Sequence, residues 1–138
     1  MDLGFSGSIP YSYSGDPAGN LTIQIEIAGM LTVASVDTAA PYMICRPEIA
    51  RQLGLTASES IGATQLRTHL GVVTGYLYRV PITFPAASGA PVELQATMFV
   101  PQLDQWIGNP SFLGFHGCLE RIRFAIDPGT ETFYFGPY

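Results

Sequence analysis

Charge is scarce in this sequence. Lysine and arginine together number 6 and aspartate and glutamate 11, so charged residues make up 12% of the 138. A disordered chain carries more charge and fewer apolar residues than the 47% found here, and a packed globular protein is expected. The few cations also argue against a basic face. At a net charge of −5 the surface repels phosphate backbones, so no nucleic-acid partner is expected. Long apolar runs are missing as well. No stretch approaches the roughly 20 residues a membrane-spanning helix requires, and no membrane partner is expected. Cysteine occurs twice, at Cys45 and Cys118, and histidine twice, at His69 and His116. Neither pair has the spacing of a metal site, so no metal or other cofactor is expected. The opening stretch MDLGFSGSIPYSYSG lacks a basic segment leading into an apolar one. It does not read as an export leader, which makes the cytoplasm the expected compartment.

What is abundant points to turns. The 15 glycines and 11 prolines lie between short apolar runs, as in an all-β fold. The length suits one domain, placed at residues 20–138 after a loose, aperiodic N-terminal arm over residues 1–19. Leu21, Ile23, Ile25 and Ile27 alternate with polar residues and predict a half-buried strand. Ala28-Gly29 turns the chain into a second strand, LTVASV, which runs into Asp37. In CRPEIARQLGL, Pro47 suits a first helical position, Glu48 its positive end and Gly54 a left-handed cap, so a helix of about two turns is predicted. Residues 61–84 predict a hairpin with its tip near His69-Leu70-Gly71. Pro81 marks its return strand as an edge or a bulge. Val92 to Val100 alternate as a further strand. HGCLERI reads as a brief helix, and RFAID and TETFYF as strands about the turn Asp127-Pro128-Gly129.

Asp37 ends an apolar run and is followed by Thr38, Ala39 and Ala40. Alone, such an aspartate reads as an Asx turn at a strand end. The ordered set says more. A strand leads into Asp-Thr-small-small, a Pro-Glu helix ending in Leu-Gly-Leu follows, then a glycine-tipped hairpin, and far downstream Phe112-Leu113-Gly114 with FHGCLERIRFAIDPGTETFYFG after it. This order, over about residues 20–136, resembles the retropepsin-like aspartic proteases, and in particular their small single-domain bacterial members. The resemblance implies a closed β-barrel of the acid-protease type with one or two short helices and a flap hairpin. It implies an aspartic endopeptidase acting on peptide or protein substrates as a homodimer, since one chain carries one Asp-Thr motif and an isologous pair sets Asp37 beside its own copy. By that resemblance Asp37 is catalytic. Thr38, Ala39, Ala40, Leu113 and Gly114 shape and support the active-site loop and the dimer, and His69, Leu70, Gly71 and Val72 belong to the substrate-covering flap.

The match departs from the family at Ala39, where the motif has glycine, and at Pro41, which removes an N–H. Alanine is tolerable there in ordinary backbone and strained at positive φ. The rival reading is therefore a catalytically silent dimerisation or peptide-binding module of the same fold. A Cys118–His116 nucleophile pair is a further alternative. Trp106 either lines the cleft or covers the core. The apolar chain end, residues 129–138, is one candidate for interleaving between protomers.

Overall fold

The computed structural model describes residues 4–13, 16 and 18–138. In chain order its strands are β1 (Gly7–Pro10), β2 (Thr22–Ile27), β3 (Met30–Val36), β4 (Met43–Ile44), β5 (Gly62–Thr68), β6 (Gly71–Phe84), β7 (Ser88–Gly89), β8 (Val92–Pro101), β9 (Ser111–Leu113), β10 (Ile122–Asp127) and β11 (Thr132–Pro137). The α-helix α1 (Pro47–Gln52) follows β4, and 3₁₀ turns cover Ala57–Glu59, Leu103–Gln105 and Leu119–Arg121. The main sheet runs β2-β3-β9-β4-β8-β6-β5, and pairing of β2 with β6 closes it into a barrel. A second sheet, β10-β11-β1-β7, adds Ile9, Ile122, Phe133 and Phe135 to the core. The fold is all-β, as the turn-rich sequence indicates. No helix among the described residues is long and apolar enough to cross a membrane.

Two hydrophobic clusters share the barrel walls. In the parallel pair of β4 and β8, Met43 lies opposite Met98 and Ile44 opposite Phe99. Met43 and Met98 enter the larger cluster with Ile25, Ile82 and Phe133, whereas Ile44 and Phe99 enter the smaller one with Trp106 and Phe112. Successive side chains of a strand point to opposite faces, so a strand between two cores buries both. β6 is shared in the same way. Val73 faces the smaller cluster, and Tyr78, Val80, Ile82 and Phe84 the larger.

Local chemistry accounts for the turns. Ala28 and Gly29 both take positive φ, at 49° and 86°, as a two-residue type I′ hairpin loop requires. Pro47 opens α1 and Gly54, at φ +74°, follows its end.

Two expectations are corrected. The arm at residues 1–19 was expected to be loose. Gly7–Pro10 is instead a strand held between β11 and β7, where Gly7 fits because a Cβ there would lie 2.3 Å from the Ala90 carbonyl oxygen. The part of that arm at residues 1–3, 14, 15 and 17 lies outside the described residues. Pro81 sits on neither an edge strand nor a bulge. It pairs in register with Gln95 of β8, beyond the end of β5 and just before β2 joins, and its carbonyl accepts the Ala28 N–H at 2.8 Å. The brief helix in HGCLERI is present as a single 3₁₀ turn, Leu119–Arg121, the Arg121 N–H donating to the Cys118 carbonyl at 3.0 Å. The chain end, one candidate for interleaving between protomers, is paired on both edges within its own chain, with β10 on one side of β11 and β1 on the other.

Candidate active site

Strand β3 pairs in parallel with β9, Val36 lying opposite Leu113. One residue further, the Asp37 N–H donates to the Leu113 carbonyl at 3.1 Å, which pins the end of the strand. The chain then turns. The Ala40 N–H donates to the Asp37 carbonyl at 3.1 Å, and the Ala39 N–H to Asp37 Oδ1 at 3.0 Å. The second bond is an Asx turn, so the bland expectation for Asp37 holds in the geometry. It also fixes the direction of the carboxylate. The returning chain passes to β4, whose Ile44 lies opposite Phe112, so β9 is threaded between the two arms of the Asp37 loop.

The loop is stitched down on its far side. Phe115 N–H donates to the Ala40 carbonyl at 2.9 Å, and His116 N–H to the Pro41 carbonyl at 2.8 Å. Gly114 makes this contact possible. A Cβ at Gly114 would lie 2.0 Å from the Tyr42 carbonyl oxygen and 2.7 Å from that of Ala40. Leu113 is fully buried in the larger cluster beneath the loop. Thr38 and Ala39 are exposed and Ala40 is buried. Ala39 is not among the residues with positive φ, so its backbone is one that alanine takes without strain.

Asp37 opens onto a pocket of about 200 Å³. Ala39, Ala40 and Pro41 line it from the loop, Ile44, Trp106 and Phe112 from the smaller core, and Arg67, Thr68 and His69 from the β5–β6 hairpin. Asp37 is the one carboxylate among these residues. The hairpin tip leans onto the pocket through His69, whose ring stands edge-on to Phe112 and Trp106 with centroids 5.8 and 6.3 Å away. Thr68 ties the tip together, its Oγ1 accepting the Leu70 N–H and donating to the Gly71 carbonyl. Of the four hairpin residues singled out from the sequence, His69 alone lines the pocket. Leu70 and Val72 point to solvent, 45% and 50% exposed, and Gly71 supplies the turn at φ +96°.

Trp106 does both things the sequence allowed. It is fully buried, its Nε1 donates to the Pro110 carbonyl at 2.9 Å, and it also forms pocket wall. Arg67 and Thr68 carry no sequence signal, because only the hairpin's lean brings them to Asp37. Cys118 is fully buried, and burial pushes its thiol up to about 12. A thiol so held is not a nucleophile near neutral pH, which removes the Cys–His alternative. The exposed His116 meets Glu120 Oε2 at 3.9 Å.

No family model and no curated protein matches the chain. Among solved structures it is similar to a retropepsin-like aspartic protease from Rickettsia conorii, at 18% identity and a TM-score of 0.59, covering 94% of this chain and 90% of that one. At that identity the likeness is one of fold. The β3–Asp37–β4 loop threaded by β9, the closed barrel and this structural match together give the chain a retropepsin-like aspartic protease fold.

Proposed function

We propose that the protein is an aspartic endopeptidase whose reaction centre forms when two copies set their Asp37 residues side by side. The observation that carries this reading is the placement of Asp37. It is a strand-end carboxylate, oriented by the Ala39 N–H, anchored through Leu113 and facing a pocket beneath a hairpin tip. One carboxylate cannot divide the work of acid and base. Two held close cannot both ionise, so the pair keeps one proton between them. The ionised member takes a proton from water, and the protonated member donates to the peptide carbonyl oxygen as the tetrahedral centre forms. Return of a proton to the leaving nitrogen completes cleavage.

The surroundings support this assignment. Thr38 is exposed in the single protomer, as a residue that reaches across to a partner must be. The β5–β6 hairpin acts as the flap, with His69 over the pocket, and an extended peptide lies beneath it as an added strand. Peptide cleavage at mildly acidic pH is expected to fall about 10²–10⁴-fold in Asp37→Asn, the range for loss of a general acid or base. Cleavage unchanged in that variant would sink the proposal.

Ala39 favours a second reading. Its methyl group lines the pocket where the family motif has none. A silent peptide-binding module would bind extended peptides equally well in the parent and in Asp37→Asn, and neither would hydrolyse them.

A further inference from the structure

The β5–β6 hairpin is firmly held at its root and lightly held at its tip. Pairing of β6 with β8 begins at Gly75, opposite Pro101. Next to it, Gln105 Oε1 accepts the Thr74 N–H at 2.8 Å and the Thr74 hydroxyl at 3.1 Å, and the Gln102 N–H donates to the Thr74 carbonyl at 3.0 Å. Leu66 and Val73 then lie opposite each other, both buried in the smaller cluster. Past that pair, Arg67 lies opposite Val72 and Thr68 opposite Gly71. Arg67, Leu70 and Val72 are exposed. This tip meets the barrel through the His69 ring, edge-on to Phe112 and Trp106. His69 is itself exposed, so the contact lies outside the core and can part while Leu66 and Val73 stay packed.

The closed tip leaves little room. The pocket beneath it, about 200 Å³, is below the roughly 300 Å³ at which ligand pockets begin, and an extended peptide advances about 3.3 Å with every residue. The space takes a side chain but not a strand. A peptide laid across Asp37 therefore has to lift the tip, and lifting it parts His69 from Phe112 and Trp106. Contacts between aromatic rings stabilise whichever state makes them, and here that is the state without peptide. Apparent affinity then falls in proportion to the fraction of molecules left open.

We propose that His69 is a latch, whose contact with Phe112 and Trp106 holds the hairpin tip shut over the Asp37 pocket until an incoming peptide displaces it. The latch rests on the reading that extended peptides bind under this hairpin, but not on their cleavage. The test uses acetyl-Leu-Val-statine-Ala-Phe amide, an uncleavable peptide whose statine hydroxyl stands in for the tetrahedral centre. Proton cross-relaxation is followed between the His69 imidazole and the rings of Phe112 and Trp106, the latter being the chain's one tryptophan. These contacts are expected in the free protein and should vanish at saturation with the peptide. His69→Ala should bind the peptide about fivefold or more tightly than the parent. His69→Phe, which keeps a ring at the tip, should bind no more tightly than the parent. Weaker binding by His69→Ala would make His69 a substrate contact and overturn the latch. Equal binding by parent and His69→Ala, ring contacts missing from the free protein, or ring contacts that persist at saturation would overturn it too. Each of those results leaves the peptidase reading standing. The expected results in a protein that cleaves no peptide would keep the latch and remove the peptidase. No binding by the parent or either variant overturns both.

Discussion

At the scale of single residues, the Asp37 loop depends on an atom that is absent. Gly114 lets the Tyr42 and Ala40 carbonyls cross where a Cβ would collide with backbone on both. Backbone has little room to retreat, so Gly114→Ala should cost about 3 kcal/mol or more, read as a shifted urea midpoint. The two cysteines set a different kind of limit. Burial pushes the thiols of Cys45 and Cys118 from an ordinary 9.0 up to about 12. The folded state thus holds these protons more tightly than the unfolded one. The stabilisation is complete below pH 9 and drains away as the pH climbs towards 12, because the unfolded thiols ionise first. Urea unfolding at pH 8 and pH 10 should show stability falling between them. Replacing both cysteines with alanine should flatten part of the fall, leaving the share due to Tyr78, which burial also raises.

At the scale of elements, the β2–β3 hairpin shows what local chemistry can and cannot announce. Its loop places Ala28 at φ 49°, a conformation that suits asparagine or glycine better than alanine. Ala28→Asn should stabilise the protein by about 1 kcal/mol, measurable by thermal or urea unfolding. The hairpin was legible because Ile23, Ile25 and Ile27 repeat with a strand's period and Ala28-Gly29 breaks it. The helix was legible from Pro47 and Gly54, and the loop of the candidate site from the order of Asp37 and Phe112-Leu113-Gly114. The Val36–Leu113 pairing brings those two segments together. Elements between two cores were harder to read. Met43 and Ile44 are both buried, so β4 shows none of the alternation of a one-sided strand. The strand Gly7–Pro10 was hidden because its partners, β11 and β7, lie far along the chain. Arg67 and Thr68 reach the pocket only through tertiary placement. No rule of spacing finds them.

At the scale of the whole molecule, the proposed reaction requires two chains. Adding an equal amount of Asp37→Asn protein to a fixed amount of parent should lower total cleavage to about half, because random pairing draws parent chains into mixed dimers with one carboxylate. A monomeric enzyme would show no loss, and subunit exchange can be followed by mass-tagging one partner. β11 is already paired on both edges within its own chain, so the strand edges open to a second copy lie elsewhere in the fold. That double pairing also bears on how the chain reaches its final form. Gly7 of β1 lies opposite Phe135 of β11, so the pairing joins the first described strand to the last. Closing so long a loop costs entropy before the pairing returns anything, and contacts this distant in sequence slow folding. Until β11 pairs, β1 has only the two-residue β7 beside it in the sheet. The seam between β1 and β11 is therefore expected to close late in folding.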